Sequence, residues 1–220
     1  MSTNITKKTV LVSGDRHSGT SMVALVLEIL GIPMGEENMV DITLEDREIW
    51  WNLGDKTKLR EIIAKRNKRW DIWGVKRPDL IAPSAQLGSL LRNPYYIIMF
   101  RDPVAISVRT KFGYGPYEDR LPQYTLEDTI PNMLHHAKYS VTLLGSLRTH
   151  PSTTYVFSYE KVLIKPRDFV LRLVEILKLK TSEATITDAV SCITPEVGFE
   201  DKKKILYYKG LAKGRKLLCV

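Results

Sequence analysis

Cysteine is nearly missing. Cys192 and Cys219 are the only two in 220 residues, too few for a disulfide framework, and the absence of any CxxC pair or Cys/His cluster leaves no candidate zinc site. No metal is expected, and sparse thiols fit a reducing, cytoplasmic compartment. Long hydrophobic runs are also absent: the longest, Met22 to Leu30, is broken by Glu28 and falls short of the roughly 18 residues of a membrane span. Residues 1–8 are polar and precede an apolar run too short for a signal-peptide core of about 7–15 residues. They are expected to be disordered, and the sequon Asn4-Ile5-Thr6 to be without consequence. Internal repeats and low-complexity segments are lacking.

What is present is ordinary globular material, 44% hydrophobic and 26% charged, enough for one sizeable core. Residues 1–220 are expected to form a single domain. The formal charge of +8, from 33 basic and 25 acidic residues, raises nucleic acid, membrane surfaces and polyanionic substrates as partners. Aromatic residues interleaved with basic ones, as an RNA platform needs, are absent, so no nucleic-acid partner is expected. Clusters at Lys56 to Lys68 and Lys202 to Lys216 read as solvated helix faces and a basic tail over 201–220.

Along the chain, β-branched and apolar runs alternate with helical periodicity. Thr9 to Ser13 reads as a strand ending at Gly14, followed by an amphipathic helix from Gly19 to Leu30 that Gly31 and Pro33 stop. Thr43-Leu-Glu-Asp46 has capping-box spacing ahead of Ile49, Trp50 and Leu53, and a further helix covers Lys58 to Lys68. Ile72 to Val75 and Tyr95 to Phe100 read as strands, the second apolar enough for burial on both faces. Pro103 opens a helix through Arg109, and a Gly/Pro/Tyr-rich loop, Phe112 to Tyr124, follows. Thr125-Leu-Glu-Asp128 then starts a long helix towards Arg148, with a kink expected at Pro131. Thr154 to Ser158 is a fourth strand and Pro166 to Leu179 an amphipathic helix. This alternation predicts an α/β fold: a three-layer, P-loop-like domain with a central, mainly parallel sheet flanked by helices.

The loop Gly14-Asp-Arg-His-Ser-Gly19-Thr20-Ser21 joins the first strand to its helix with Walker A spacing, but Thr20 stands where the lysine belongs. Backbone N–H groups at the helix start still make an anion cradle. Magnesium-dependent cleavage of a triphosphate loses its cation, which argues against a small nucleotide or sugar kinase. A non-catalytic anion-binding module is the other alternative.

From Leu11 to Gly35, LVSGDRHSGTSMVALVLEILGIPMG resembles the 5′-phosphosulfate loop of sulfotransferases that use 3′-phosphoadenosine 5′-phosphosulfate. Tyr96-Ile-Ile-Met-Phe-Arg101-Asp-Pro resembles their second hallmark, a strand running into an arginine that binds the donor's 3′-phosphate. Leu44 to Ile49 and Trp73 to Pro78 are similar to segments of the bacterial branch, and Phe157-Ser-Tyr159-Glu160 resembles the family's Tyr-Glu-x-Leu segment after the last core strand, all in the right order along residues 9 to 180. The resemblance implies a sulfuryl donor held by Arg16, His17, Ser18, Gly19, Thr20, Ser21, Arg101, Arg109 and Tyr159, with no metal. The basic residue usually found before SGT is His17 here, so either Arg16 or protonated His17 contacts the phosphosulfate. Arg109 replaces a serine that relatives place on the 3′-phosphate; it either binds that phosphate or is solvated. Tyr159 either lies at the adenine or is an ordinary strand-end tyrosine.

Sulfuryl transfer also requires a base for the acceptor's proton. Glu45 is preferred over Asp46, His17, His135 and His136, because Asp46 is explained as the capping partner of Thr43. Lys76, at a strand end, is expected to stabilise charge on the bridging oxygen. The acceptor is expected to be a small molecule, a glycan or a lipid, its identity and the oligomeric state being open.

Overall fold

The computed structural model describes residues 7–36, 44–77, 87–112, 126–147 and 153–193, with backbone only at 108–112, 126–128 and 146–147. Four strands, β1 (Lys8–Gly14), β2 (Ile72–Lys76), β3 (Pro94–Phe100) and β4 (Thr154–Ser158), form one sheet in the order β2-β1-β3-β4. All three pairings are parallel. The helices are α1 (Thr20–Ile29), α2 (Arg47–Trp51), α3 (Lys56–Arg69), α4 (Pro103–Phe112), α5 (Leu126–Leu147), α6 (Tyr159–Ile164), α7 (Pro166–Leu177) and α8 (Glu183–Ser191). The three-layer parallel α/β architecture read from the sequence is the one present.

Strand alternation sorts the core into two layers. Val10, Val12, Ile97 and Met99 point to one face, where α1, α7 and α8 cover them; Leu11, Tyr96, Ile98, Trp73 and Val75 point to the other, against α2, α3 and Leu143 of α5. Every residue of β1 is buried, so its sequence, with Val10, Leu11 and Val12 in succession, does not alternate apolar with polar. β2 is flanked on its outer side by the chain leaving α1, since Gly74 N–H donates to the Pro33 carbonyl at 2.8 Å. That chain turns away from α1 at Gly31, whose φ of 88° is the left-handed conformation that glycine tolerates.

Sequence and structure differ at several boundaries. Lys8 is no part of a disordered leader: it is a buried residue of β1, and its Nζ donates to the Leu177 carbonyl at 3.0 Å. A helix C-terminus is a favourable place for a cation, although burial lowers the Lys8 pKa, with Lys178 nearby adding to the effect. The helix after Leu44 begins later than the capping-box spacing suggests, because Asp46 is itself the N-cap of α2 and accepts from Ile49 N–H at 3.1 Å. α5 runs through Pro131, which lies near its start. Thr43, Pro78, the loop from 113 to 124, Cys219 and the basic tail lie outside the described residues.

Candidate functional site

In this strand order the chain leaves β1 towards β2 and leaves β3 towards β4, so the two exits diverge at the β1/β3 boundary. Open parallel sheets bind ligands in the crevice at the carboxyl ends of the strands where that divergence occurs. Each of the four strands delivers one of the sequence-selected segments there. The loop 15–19 follows β1, Lys76 ends β2, Arg101 follows β3, and Tyr159 follows β4.

The loop is braced from within. Ser18 donates both its N–H, at 3.2 Å, and its hydroxyl, at 2.6 Å, to the Asp15 carbonyl, and it is fully buried. Its hydroxyl therefore shapes the loop. His17 adopts φ 61°, rare for a non-glycine residue, and this turns its carbonyl to accept from Arg101 Nη1 at 2.9 Å. Gly19 follows with φ 94° as the N-cap of α1 and supplies no side chain to cap that helix. A Cβ at this position would lie 2.5 Å from Cδ2 of Tyr159, so the residue must be glycine for steric as well as conformational reasons. Thr20 is buried, Ser21 half-buried and Arg16 exposed.

Tyr159 opens α6 and does not end the strand, and its ring lies beneath the Arg101 guanidinium, 4.4 Å from carbon to centroid. Glu160 ties the two crossover starts together: its Oε1 accepts from Asp102 N–H and its Oε2 from the Ser158 hydroxyl, both at 2.9 Å. Burial works to raise the Glu160 carboxyl, but those hydrogen bonds, its own N–H and the Arg101 charge outweigh it and hold the group below its ordinary value.

At the β2 edge of the crevice, Lys76 Nζ donates to Glu45 Oε1 at 2.9 Å, with Lys76 buried. Glu45 sits just before the α2 cap. Asp46 points the other way, into a buried ion pair with Arg66, which also holds Glu48 Oε2 at 2.9 Å and lies 5.2 Å from the Trp73 ring centroid. Its role is thus capping and pairing; Thr43, its partner in the sequence reading, lies outside the described residues. Asp46 and Glu48 raise the Arg66 guanidinium above its ordinary value in spite of its burial.

Of the two helix histidines, His135 is exposed and His136 is buried, its Nδ1 2.7 Å from Oδ2 of Asp15. Sequence reading missed this pair, and no spacing could have found partners 121 residues apart. Glu160 was missed as an anchor, although its position two residues after Ser158 is a local signal of the bond they form. Arg109 lies on α4, beyond the described side chains. Among the described residues no helix is long and apolar enough to cross a membrane, and no His, Cys, Asp and Glu cluster could hold a metal ion.

No protein-family model and no curated protein sequence matches the chain. Solved structures do. The sulfotransferase domain of the olefin synthase from Synechococcus PCC 7002 aligns over 97% of this chain and 88% of its own, with 12% identity and a TM-score of 0.55. Sulfotransferase STF9 of Mycobacterium avium aligns over 96% and 78%, with 12% identity and a TM-score of 0.51. The chain has the fold of these two sulfotransferases.

Proposed function

We propose that this chain is a sulfotransferase that moves a sulfuryl group from 3′-phosphoadenosine 5′-phosphosulfate to a hydroxyl or amine of a small molecule, glycan or lipid in the cytoplasm. The observation that carries the reading is the convergence of the donor-binding segments at one crevice, with Arg101 reaching across it to the His17 carbonyl at 2.9 Å. The groups fit an anionic nucleotide. The first turn of α1 lacks a side-chain cap, so its N–H groups, Thr20, Ser21 and the exposed Arg16 serve the 5′-phosphosulfate. Arg101, held over Tyr159, serves the 3′-phosphate, and Arg109 one helix turn or more beyond adds to that end. Thr20 in the Walker lysine position separates this chemistry from phosphoryl transfer from a triphosphate.

For the transfer itself, Glu45 accepts the acceptor's proton as its oxygen or nitrogen bonds to sulfur. Lys76 balances the charge left on the bridging oxygen as its bond to sulfur breaks. The Glu45–Lys76 pair keeps both groups at the mouth before the substrates arrive; the donor's charge then draws Lys76 away and frees the carboxylate.

Calorimetric titration with 3′-phosphoadenosine 5′-phosphate in EDTA tests this. Binding is expected at the same affinity with and without magnesium, and tighter than binding of ATP. A requirement for the metal, or a preference for ATP, would overturn the assignment.

A further inference from the structure

A carboxylate in a loop built for anions is an electrostatic contradiction, and Asp15 is one. It is 7% exposed and lies at the head of the loop, with Oδ1 accepting from Arg16 N–H at 2.7 Å. Its other oxygen, Oδ2, accepts from Nδ1 of His136 on α5 at 2.7 Å, and His136 is 5% exposed. A phosphosulfate brought to the same loop would be repelled by an uncompensated Asp15, because little water screens charges there.

Resting on the donor-loop reading above, we propose that His136 is a positioning residue for the sulfuryl donor. It fixes Asp15 and, when protonated, cancels its charge so that the loop accepts an anion, and donor binding therefore draws a proton from solvent on to the Asp15–His136 pair. The contact joins the donor loop to α5 across 121 residues of sequence. The Asp15 carbonyl braces Ser18 while its side chain is pinned from α5.

Other charged or titratable groups lie on the elements around this pair. The loop carries Arg16 and His17 and α5 carries His135 and Lys138, while α4, which packs along α5, has Arg109 and Lys111 in its sequence, outside the described side chains. Among the described residues the other two histidines are His17 and His135. His135 is edge-on to His136, 5.3 Å between ring centroids, and exposed.

The test is titration with 3′-phosphoadenosine 5′-phosphate at about pH 7.5 in two buffers of different ionisation enthalpy, which counts the protons taken up. Wild type is expected to take up a measurable fraction of a proton. His136→Asn keeps a donor towards Asp15 but cannot be charged; it is expected to lose about tenfold or more in affinity and to take up none. Asp15→Asn removes the charge that needs cancelling, so alone, or combined with His136→Asn, it is expected to restore affinity to within about threefold of wild type, without uptake. His135→Gln, at an exposed histidine on the same helix, is expected to keep the uptake. A role in packing alone would move affinity without moving the proton count. Undiminished binding or uptake in His136→Asn overturns the proposal, as does a double variant no better than His136→Asn. Should wild type fail to bind the nucleotide at all, the donor-loop reading falls and takes this proposal with it.

Discussion

Glu45 and Lys76 come from segments 31 residues apart and meet at 2.9 Å, each holding the other's charge at the crevice mouth. If Glu45 takes the acceptor's proton, Glu45→Gln should lower kcat by about 10²–10⁴-fold while donor affinity stays within about twofold, because a general base acts on the acceptor alone. Single-turnover rates beside nucleotide titrations separate the two effects; equal loss in both would make Glu45 a mere partner of Lys76. Individual residues of this kind were legible because their types are rare at such positions: a lysine ending an apolar strand, an arginine after another, glycine before a helix. The opposite case is Arg66. Nothing in the basic stretch Lys56 to Lys68 sets it apart from its solvated neighbours, yet it is fully buried, since only the packing of α2 and β2 reveals which side of α3 faces inward.

At the scale of elements, strong periodicity made β1, β3, α1, α3 and α7 readable, whereas α8 was not, because it buries only Ile186 and Ala189. α6 is a six-residue helix whose start depends on the Ser158 hydroxyl accepting from Lys161 N–H, a cap that no hydrophobic pattern announces. Glu160 in its first turn joins that helix to the start of α4 through Asp102 N–H. Its carboxyl is depressed, so the stability it contributes is present above the ordinary glutamate value and is lost as pH falls through the folded value. Glu160→Gln should therefore cost roughly 1–2 kcal/mol at about pH 7 and progressively less in acid, as pH falls below the ordinary glutamate value. Urea unfolding of both proteins at each pH checks this; a difference that does not shrink in acid would show that the charge of Glu160 is irrelevant.

For the whole molecule, the sequence carried the layer architecture but not the strand order, because parallel pairing leaves no turn between partners from which adjacency could be read. What keeps the β2 side of the sheet in register with its helices is a polar knot. Arg66 of α3 binds both oxygens of Asp46 and one of Glu48 while lying against Trp73 of β2, and Arg92 closes the same region by donating to the carbonyls of Asn67, Trp70 and Asp71. Asp46 adjoins Glu45, so the knot also sets where the proposed base stands. Truncating Arg66 leaves a buried carboxylate without its counter-charge, a change that typically costs about 3–5 kcal/mol. Arg66→Ala should then lower the unfolding midpoint by roughly 6–20 °C for a domain of this size. Replacing both partners with apolar residues, as in Arg66→Met with Asp46→Leu, should recover part of that loss, because a buried pair yields little net stability over well-packed apolar groups. Thermal unfolding of the two variants tests the point directly. If Arg66→Ala unfolds within a degree of wild type, the pair bears no strain of burial, and the link from α3 through Asp46 to the site does not exist.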